Sequence, residues 1–329
     1  MSARPQALFI EENKLALFGI TFQNSLPFTF VLIYDITNRG VPVKEREYLF
    51  EGTYFDGRKT RDGYVYLLST LPIRPLVTPR YDVGEGLNEI PLSSVFVHQD
   101  SYAKPLYINI ISFDLRVPNP AKTKMITIIT ESVHKVYMTS NHIYFTYPKK
   151  INSLSYTVIH KIFVWKTYII PFADATVLGS INNQFDLDEF GGFILRVAVT
   201  SQYPGLTTIS VYAMNYFLKG IGTLQHILLG FSIRSTRYVE RKLYIGTNLG
   251  PFVVISFRSH FSPFIAGSLP LRGFSRYLFP YNDDFIFSFG RSHSDNTGLK
   301  IWVISVENPL SPKEVGSFEL DEKYAGSSA

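Results

Sequence analysis

Six recurrences of one four-strand pattern predict an all-β fold, a β-propeller of about six four-stranded blades with one long Pro-rich insertion. Three observations carry that reading. The copies begin near Leu8, Tyr54, Lys135, Gln184, Ile233 and Ser275, spaced roughly 42 to 50 residues apart except across the insertion, which is the length of one blade. The apolar runs are short, rich in β-branched and aromatic residues, and bounded by turn residues, as buried strands are. No stretch of about twelve residues has helical periodicity. A four-stranded unit with two apolar faces buries both only by stacking on copies of itself, so the repeat and the composition point the same way.

The fifth copy shows the elements in order. Arg237, Tyr238 and Val239 lead into a turn at Glu240 and Arg241, Leu243 to Thr247 form a second strand, 252–257 a third and 264–269 a fourth. Second strands elsewhere read Leu15-Ala16-Leu17, Val65-Tyr66-Leu67, Ile143-Tyr144-Phe145, Leu195-Arg196-Val197 and Phe285-Ile286-Phe287. Each follows a hairpin turn such as Glu12-Asn13, Asp62-Gly63, Ser140-Asn141, Gly191-Gly192 or Asn282-Asp283-Asp284. Third strands are expected at 31–35, 110–114, 158–162, 209–212, 253–256 and 301–305. Fourth strands carry a small residue at one place, Gly179, Gly222, Gly267 or Gly316, the mark of a bulge or a close backbone approach. The segment 71–105, with Pro72, Pro75, Pro79, Pro91 and Pro105, interrupts the second copy between its second and third strands. Its prolines lack ladder donors, so it is expected as a surface excursion over a face or rim, not as a further blade.

The whole chain, 1–329, is read as a single propeller domain, since repeat architectures outgrow the usual domain length. Hydrophobic residues make up 46% and aromatics 15%, enough for a large core. Thirty-two basic against 27 acidic residues leave a net charge of only +5 with no long like-charge run, so no nucleic-acid partner is expected. The absence of Cys excludes disulfides, zinc-thiolate sites and thiol nucleophiles. Residues 1–20 carry Arg4, Glu11, Glu12 and Lys14, so they read as neither a signal-peptide core nor a transmembrane segment.

Several blocks resemble a family of bacterial and archaeal β-propeller proteins, usually secreted, that are distantly similar to WD-type repeats. The most specific is 183–190, Asn-Gln-Phe-Asp-Leu-Asp-Glu-Phe, continuing to Arg196-Val197-Ala198; Asp186 and Leu187 stand where the family has Ser and Met, and one residue is added before Arg196. Further matches are Gly52-Thr53-Tyr54 with Gly63 to Leu67, Val136 to Thr139, 271–281 and Gly298 to Ile301. In 271–281 the family has Asp at Arg276 and His at Phe279. The resemblance implies a fold and an extracellular location, with no established activity to carry over. Family members are longer, so the chain looks like a shortened relative or a fragment, with 323–329 starting an uncompleted repeat. Without a signal peptide, a cytoplasmic location stays open.

Candidate chemistry is sparse. Asp186, Asp188 and Glu189 could offer oxygens to Ca²⁺, but Phe190 stands where an oxygen ligand is wanted and the distal Glu is missing, so they are read as capping a hairpin and bonding Arg or N–H groups between blades. His98, His134, His142, His160, His226, His260 and His293 occur singly and read as surface or turn residues. Arg272, Phe274, Arg276, Tyr277, Phe279 and Tyr281 look like a stacking platform for sugar or single strands; the two-residue spacing suits one packed face of a strand equally well, and packing is the reading preferred. No catalytic or cofactor motif is present, and neither metal nor cofactor is expected. The expected function is a non-catalytic scaffold or binding module for a protein or other macromolecular partner, the alternative a hydrolase or lyase with its active site at the axial mouth.

Overall fold

The computed structural model describes residues 3–74, 77–97, 105–203, 205–248, 250–271, 273–292 and 298–320, the Tyr203 side chain excepted. Pro75, His98, Arg272, His293 and the stretch 323–329 lie outside them. Twenty-seven strands form six sheets, one for each copy of the repeat, and three short 3-10 turns are the only helical elements among the described residues. No helix is long and apolar enough to cross a membrane.

The first sheet takes β1 (Arg4–Glu11), β2 (Lys14–Gln23), β3 (Leu26–Asp35) and β4 (Val43–Glu51) in order. β5 (Thr53–Lys59) and β6 (Tyr64–Pro72) open the second. The insertion then contributes β7 (Arg80–Asp82), β8 (Asn88–Glu89) and β9 (Val95–Val97) before β10 (Leu106–Asp114) and β11 (Lys124–Thr130) complete the second sheet. The remaining sheets have four strands each. They are β12 (Lys135–Met138) to β15 (Tyr168–Leu178), with β13 (His142–Ile151) and β14 (Leu154–Trp165) between; β16 (Leu187–Phe190), β17 (Ile194–Tyr203), β18 (Leu206–Met214) and β19 (Gly220–Ile227); β20 (Ile233–Val239), β21 (Lys242–Thr247), β22 (Phe252–Ser256) and β23 (Phe264–Leu269); and β24 (Phe274–Pro280), β25 (Phe285–Arg291), β26 (Leu299–Ser305) and β27 (Lys313–Leu320).

The insertion makes no sheet of its own, but its prolines do not keep it out of the ladders. β7 pairs antiparallel with β4, β8 extends from β7, and β9 pairs parallel with β11, so the outer edges of the first two sheets are covered. Only two or three residues pair at each place, with Pro79 just ahead of β7 and Pro91 between β8 and β9. The anchor is Glu51, fully buried at the end of β4, which accepts the Arg80 backbone N–H at 3.1 Å, Arg80 Nε at 3.0 Å and a guanidinium N–H of Arg74. A carboxylate taken out of water is tolerable only with such donors around it.

A second regularity is a hydrogen bond from a residue at or just after the end of strand three back to the hairpin turn between strands one and two. Ile36, Leu115, Val164, Phe257 and Val306 donate their N–H to the carbonyls of Asn13, Gly63, Asn141, Arg241 and Asp284, at 2.7 to 3.0 Å, and all five side chains are buried. The chain divides into two compact units, the first comprising residues 1–147 with 160–172, the second 148–159 with 173–329. In the first, Phe18, Val31, Tyr48 and Phe50 pack with Val65, Leu67, Ile111 and Phe113 between sheets one and two. In the second, Ile209, Val211 and Ala213 meet Ile245, Val253 and Ile255 between sheets four and five, and Tyr244 and Val254 meet Leu278, Trp302 and Ile304 between sheets five and six. These seams are the cores that apolar residues on both faces of a strand demand.

Candidate binding site

The acidic cluster is drawn into the protein. Asp186 closes a 3-10 turn (Gln184–Asp186) and is fully buried; its carboxylate accepts the N–H groups of Asn182 (2.7 Å) and Asn183 (3.0 Å) and the Thr236 hydroxyl (2.6 Å), while Asn183 Oδ1 accepts the Phe185 N–H. Asp188, paired across the ladder with Arg196, accepts its Nε at 2.9 Å. That guanidinium is itself buried among Phe190, Tyr238 and Phe257, with its carbon 4.8 to 5.0 Å from each ring centre. Glu189 is half-buried beside them. Among the described residues no three His, Asp or Glu side chains come together as metal ligands would.

The histidines depart from expectation. His142, His160 and His260 are buried, not surface residues, and they sit among rings: His160 stacks on Phe145 (4.5 Å) and Tyr147, His142 lies against Tyr144 and Phe163, and His260 lies against Phe190 (4.9 Å) and Phe257. A neutral imidazole is a flat ring that fills inter-strand space much as Phe does, which the isolated spacing in sequence conceals. Burial, aided by Arg196 and Arg241, pushes the His260 imidazole below its ordinary value.

The basic and aromatic stripe also differs from the packed face expected. On β24, Ser275 and Leu278 are buried whereas Arg276, Phe279 and Tyr281 are exposed. The cause is a bulge. Ser275 pairs with Gly290 and Tyr277 with Phe289, which leaves Arg276 as an extra residue, and strict alternation cannot pass through it. The same shift recurs in β20, where Arg234 is the extra residue, and in β1 and β5 at Gln6 and Phe55. Small residues opposite the bulges make room: a Cβ at Gly290 would lie 1.8 Å from the Phe274 carbonyl oxygen, and one at Gly19 would lie 2.3 Å from that of Arg4. The stripe's other basic member, Arg272, lies outside the described residues.

Both bulge arginines line a cavity of about 810 Å³ in the second unit, where β20, β24 and the 3-10 turn ahead of β16 converge. Arg291 joins them, and Phe185, Tyr277 and Phe289 form its aromatic wall. Tyr277 lies 6.1 Å from Phe185 and 6.2 Å from Phe289, and the Arg237 guanidinium, 4.0 Å from the Phe185 ring centre, donates to the Leu278 carbonyl and braces the wall. Ser235 and Ser275, 2.8 Å apart through their hydroxyls, clamp β20 to β24 behind it. No Asp, Glu or His stands among the described residues lining this cavity. A shallower cavity of about 750 Å³ in the first unit brings Arg58, Arg61 and Trp165 together with Asp62, so positive charge there has a counter-charge in the wall. Sequence reasoning found Arg276 and Tyr277 but missed Arg234 and Arg291. The signal was available in Gly246 and Gly290 near the ends of second strands, since glycine inside a strand marks a bulge in its neighbour.

These six sheets, each an antiparallel run wound in chain order with extra edge strands only on the first two, match a family model described as a beta propeller domain over residues 2–329. The chain belongs to this β-propeller family. A relative from Methanocaldococcus jannaschii, an uncharacterized protein, is 30% identical over 150 residues, covering 44% of this chain and 24% of that protein. Another, from Archaeoglobus fulgidus and likewise described as uncharacterized, is 28% identical over 180 residues, covering 52% of this chain and 28% of that protein. The propeller thus spans about a quarter of the length of the curated relatives it matches (24% and 28%).

Proposed function

We propose that this β-propeller is a non-catalytic binding module, a single domain that seats one residue or sugar of a macromolecular partner in the cavity between the first strands of sheets four, five and six. What carries the reading is the character of that cavity. Among the described residues, aromatic rings and arginines converge there without a carboxylate pair or a histidine, the groups on which general acid–base and nucleophilic chemistry most often draws. A cavity of this size lies in the range of small-ligand sites, and this one sets aromatic and apolar side chains beside polar and basic ones.

The test is retention on glycan and peptide arrays by the full chain and by Leu299→Trp. Leu299 is half-buried in the cavity wall, so an indole there fills the space. Retention by the parent chain and its loss in the variant is the expected result. Turnover of a bound ester, glycoside or uronide that Leu299→Trp abolishes would replace the binding module with the hydrolase or lyase.

A further inference from the structure

We infer that the group seated in the cavity is an acidic sugar, a ring bearing a carboxylate within a polysaccharide; this rests on the binding reading above. Arg234 and Arg276 each occupy the extra position of a first-strand bulge and are exposed. Their guanidinium carbons stand 6.0 and 5.6 Å from the centre of one and the same Phe274 ring. Neither has a carboxylate partner among the described residues.

Three other guanidinium groups of the second unit are already engaged. Arg196 is held by Asp188 and the Glu240 carbonyl, Arg237 by the Leu278 carbonyl and Arg241 by the Arg258 carbonyl. Two like charges sharing a ring, with no carboxylate partner for either among the described residues, repel one another, and an arriving anion relieves that repulsion. A carboxylate is planar and meets the guanidinium fork with two parallel hydrogen bonds. The remainder of the ligand must lie against Tyr277 and Phe289, whose tilted faces suit the flat, partly apolar side of a ring.

Titration calorimetry on the full chain at low salt decides it, using a galacturonic acid trisaccharide, the neutral galactose trisaccharide, glucose 6-phosphate and inorganic phosphate. The acidic trisaccharide is expected to bind at least about tenfold more tightly than the neutral one. Arg234→Gln with Arg276→Gln should remove that advantage, so that the acidic trisaccharide binds no more tightly than the neutral one; both positions are exposed, so circular dichroism should match the parent. Equal affinity for acidic and neutral sugars, no binding of the acidic one at millimolar concentration, or full affinity in the double variant would overturn the inference. Tighter binding of the phosphates than of the uronide would also overturn it and make the site one for phosphorylated ligands. If a neutral ligand binds and Leu299→Trp abolishes it, the module survives and the acidic sugar falls. If the acidic trisaccharide is shortened with time, the sugar survives and the non-catalytic reading falls.

Discussion

The fourth strands β19 and β23 differ from β27 in one respect that explains much of how this repeat stacks. A Cβ at Gly222 would lie 2.0 Å from the His260 carbonyl oxygen and 2.8 Å from the Phe261 backbone; at Gly267 it would lie 2.4 Å from the Pro309 and 2.8 Å from the Leu310 carbonyl oxygen. The turn that follows strand three of the next sheet is therefore pressed, backbone on backbone, against each fourth strand. The two turns are built alike, with Ser259 Oγ accepting the Phe261 N–H and Asn308 Oδ1 accepting the Leu310 N–H. At Gly316, on β27, a Cβ meets nothing within 4 Å among the described residues. Val315 and Phe318 beside it are 56% and 59% exposed. The same residue type is thus a steric necessity in two sheets and a free position in the third.

The largest effect that would sharpen this contrast is in Gly222→Val, with Gly267→Val as its counterpart. A branched side chain cannot share space with backbone atoms, and neither turn can retreat without opening a seam. A loss of about 3 kcal/mol or more is expected, at the upper end for overpacking. In a chain of this size that lowers the melting temperature by about 4 °C. Calorimetric melting of each variant measures it, and a change below about 1 kcal/mol would mean the turns are not seated as described.

Next comes Asp186→Ala, which loosens the same seam at its other end. The change leaves the Thr236 hydroxyl and the Asn182 and Asn183 N–H groups without their acceptor, worth about 1.5 to 3 kcal/mol for a bond to a charged group. Asp186→Asn, which keeps an acceptor, should recover part of the loss in urea unfolding. A null effect in both would show that sheets four and five are held by apolar packing alone.

How much of this was legible beforehand varies with the kind of signal. Strand order and turns were readable because apolar alternation and hairpin residues such as Gly191 and Gly192, both at positive φ, act locally. Gly222 and Gly267 were recognised as close-approach sites, and their partners follow only from the three-dimensional stacking. Gly179 was expected inside a fourth strand but follows β15, with a positive φ. The cavity was half legible: Arg276 and Tyr277 stood in a visible stripe, whereas Arg234 reaches the same place from the preceding sheet, which no spacing along the chain encodes. His260 does lie in a turn, as read, but the burial of His142, His160 and His260 was not legible, because a lone His carries no periodicity to show which face it takes.

A smaller, pH-dependent effect follows at His260, in the turn that covers Gly222. Burial, then the charges of Arg196 and Arg241, lower its pKa against a weaker opposing pull from Asp188. A histidine with a depressed folded value binds its proton less readily than the unfolded chain does, so its folded form is favoured while neutral. Stability is therefore intact above about pH 6.5, the unfolded value, and declines as pH falls below it toward the folded value. His260→Phe should flatten that part of the urea-midpoint profile between pH 7.5 and 5. An unchanged slope would place the proton uptake elsewhere.

The smallest effect is expected at Gly316, and its sign matters more than its size. The backbone there is not in the left-handed region, so any residue can adopt it, and the Cβ would point into open space. Valine fits a pleated strand better than glycine, by up to about 1 kcal/mol on propensity alone. Gly316→Val should therefore be neutral or slightly stabilising, opposite in sign to Gly222→Val, although both glycines hold the same place beside a fourth-strand bulge. A loss comparable to that at Gly222 would break the contrast, because it requires that something cover β27 in solution. Repeating the melt across a hundredfold range of protein concentration then separates the sources. A penalty that grows with concentration belongs to a second copy pressing a turn onto Gly316, since association stabilises the folded form by mass action, whereas a constant penalty belongs to the chain itself.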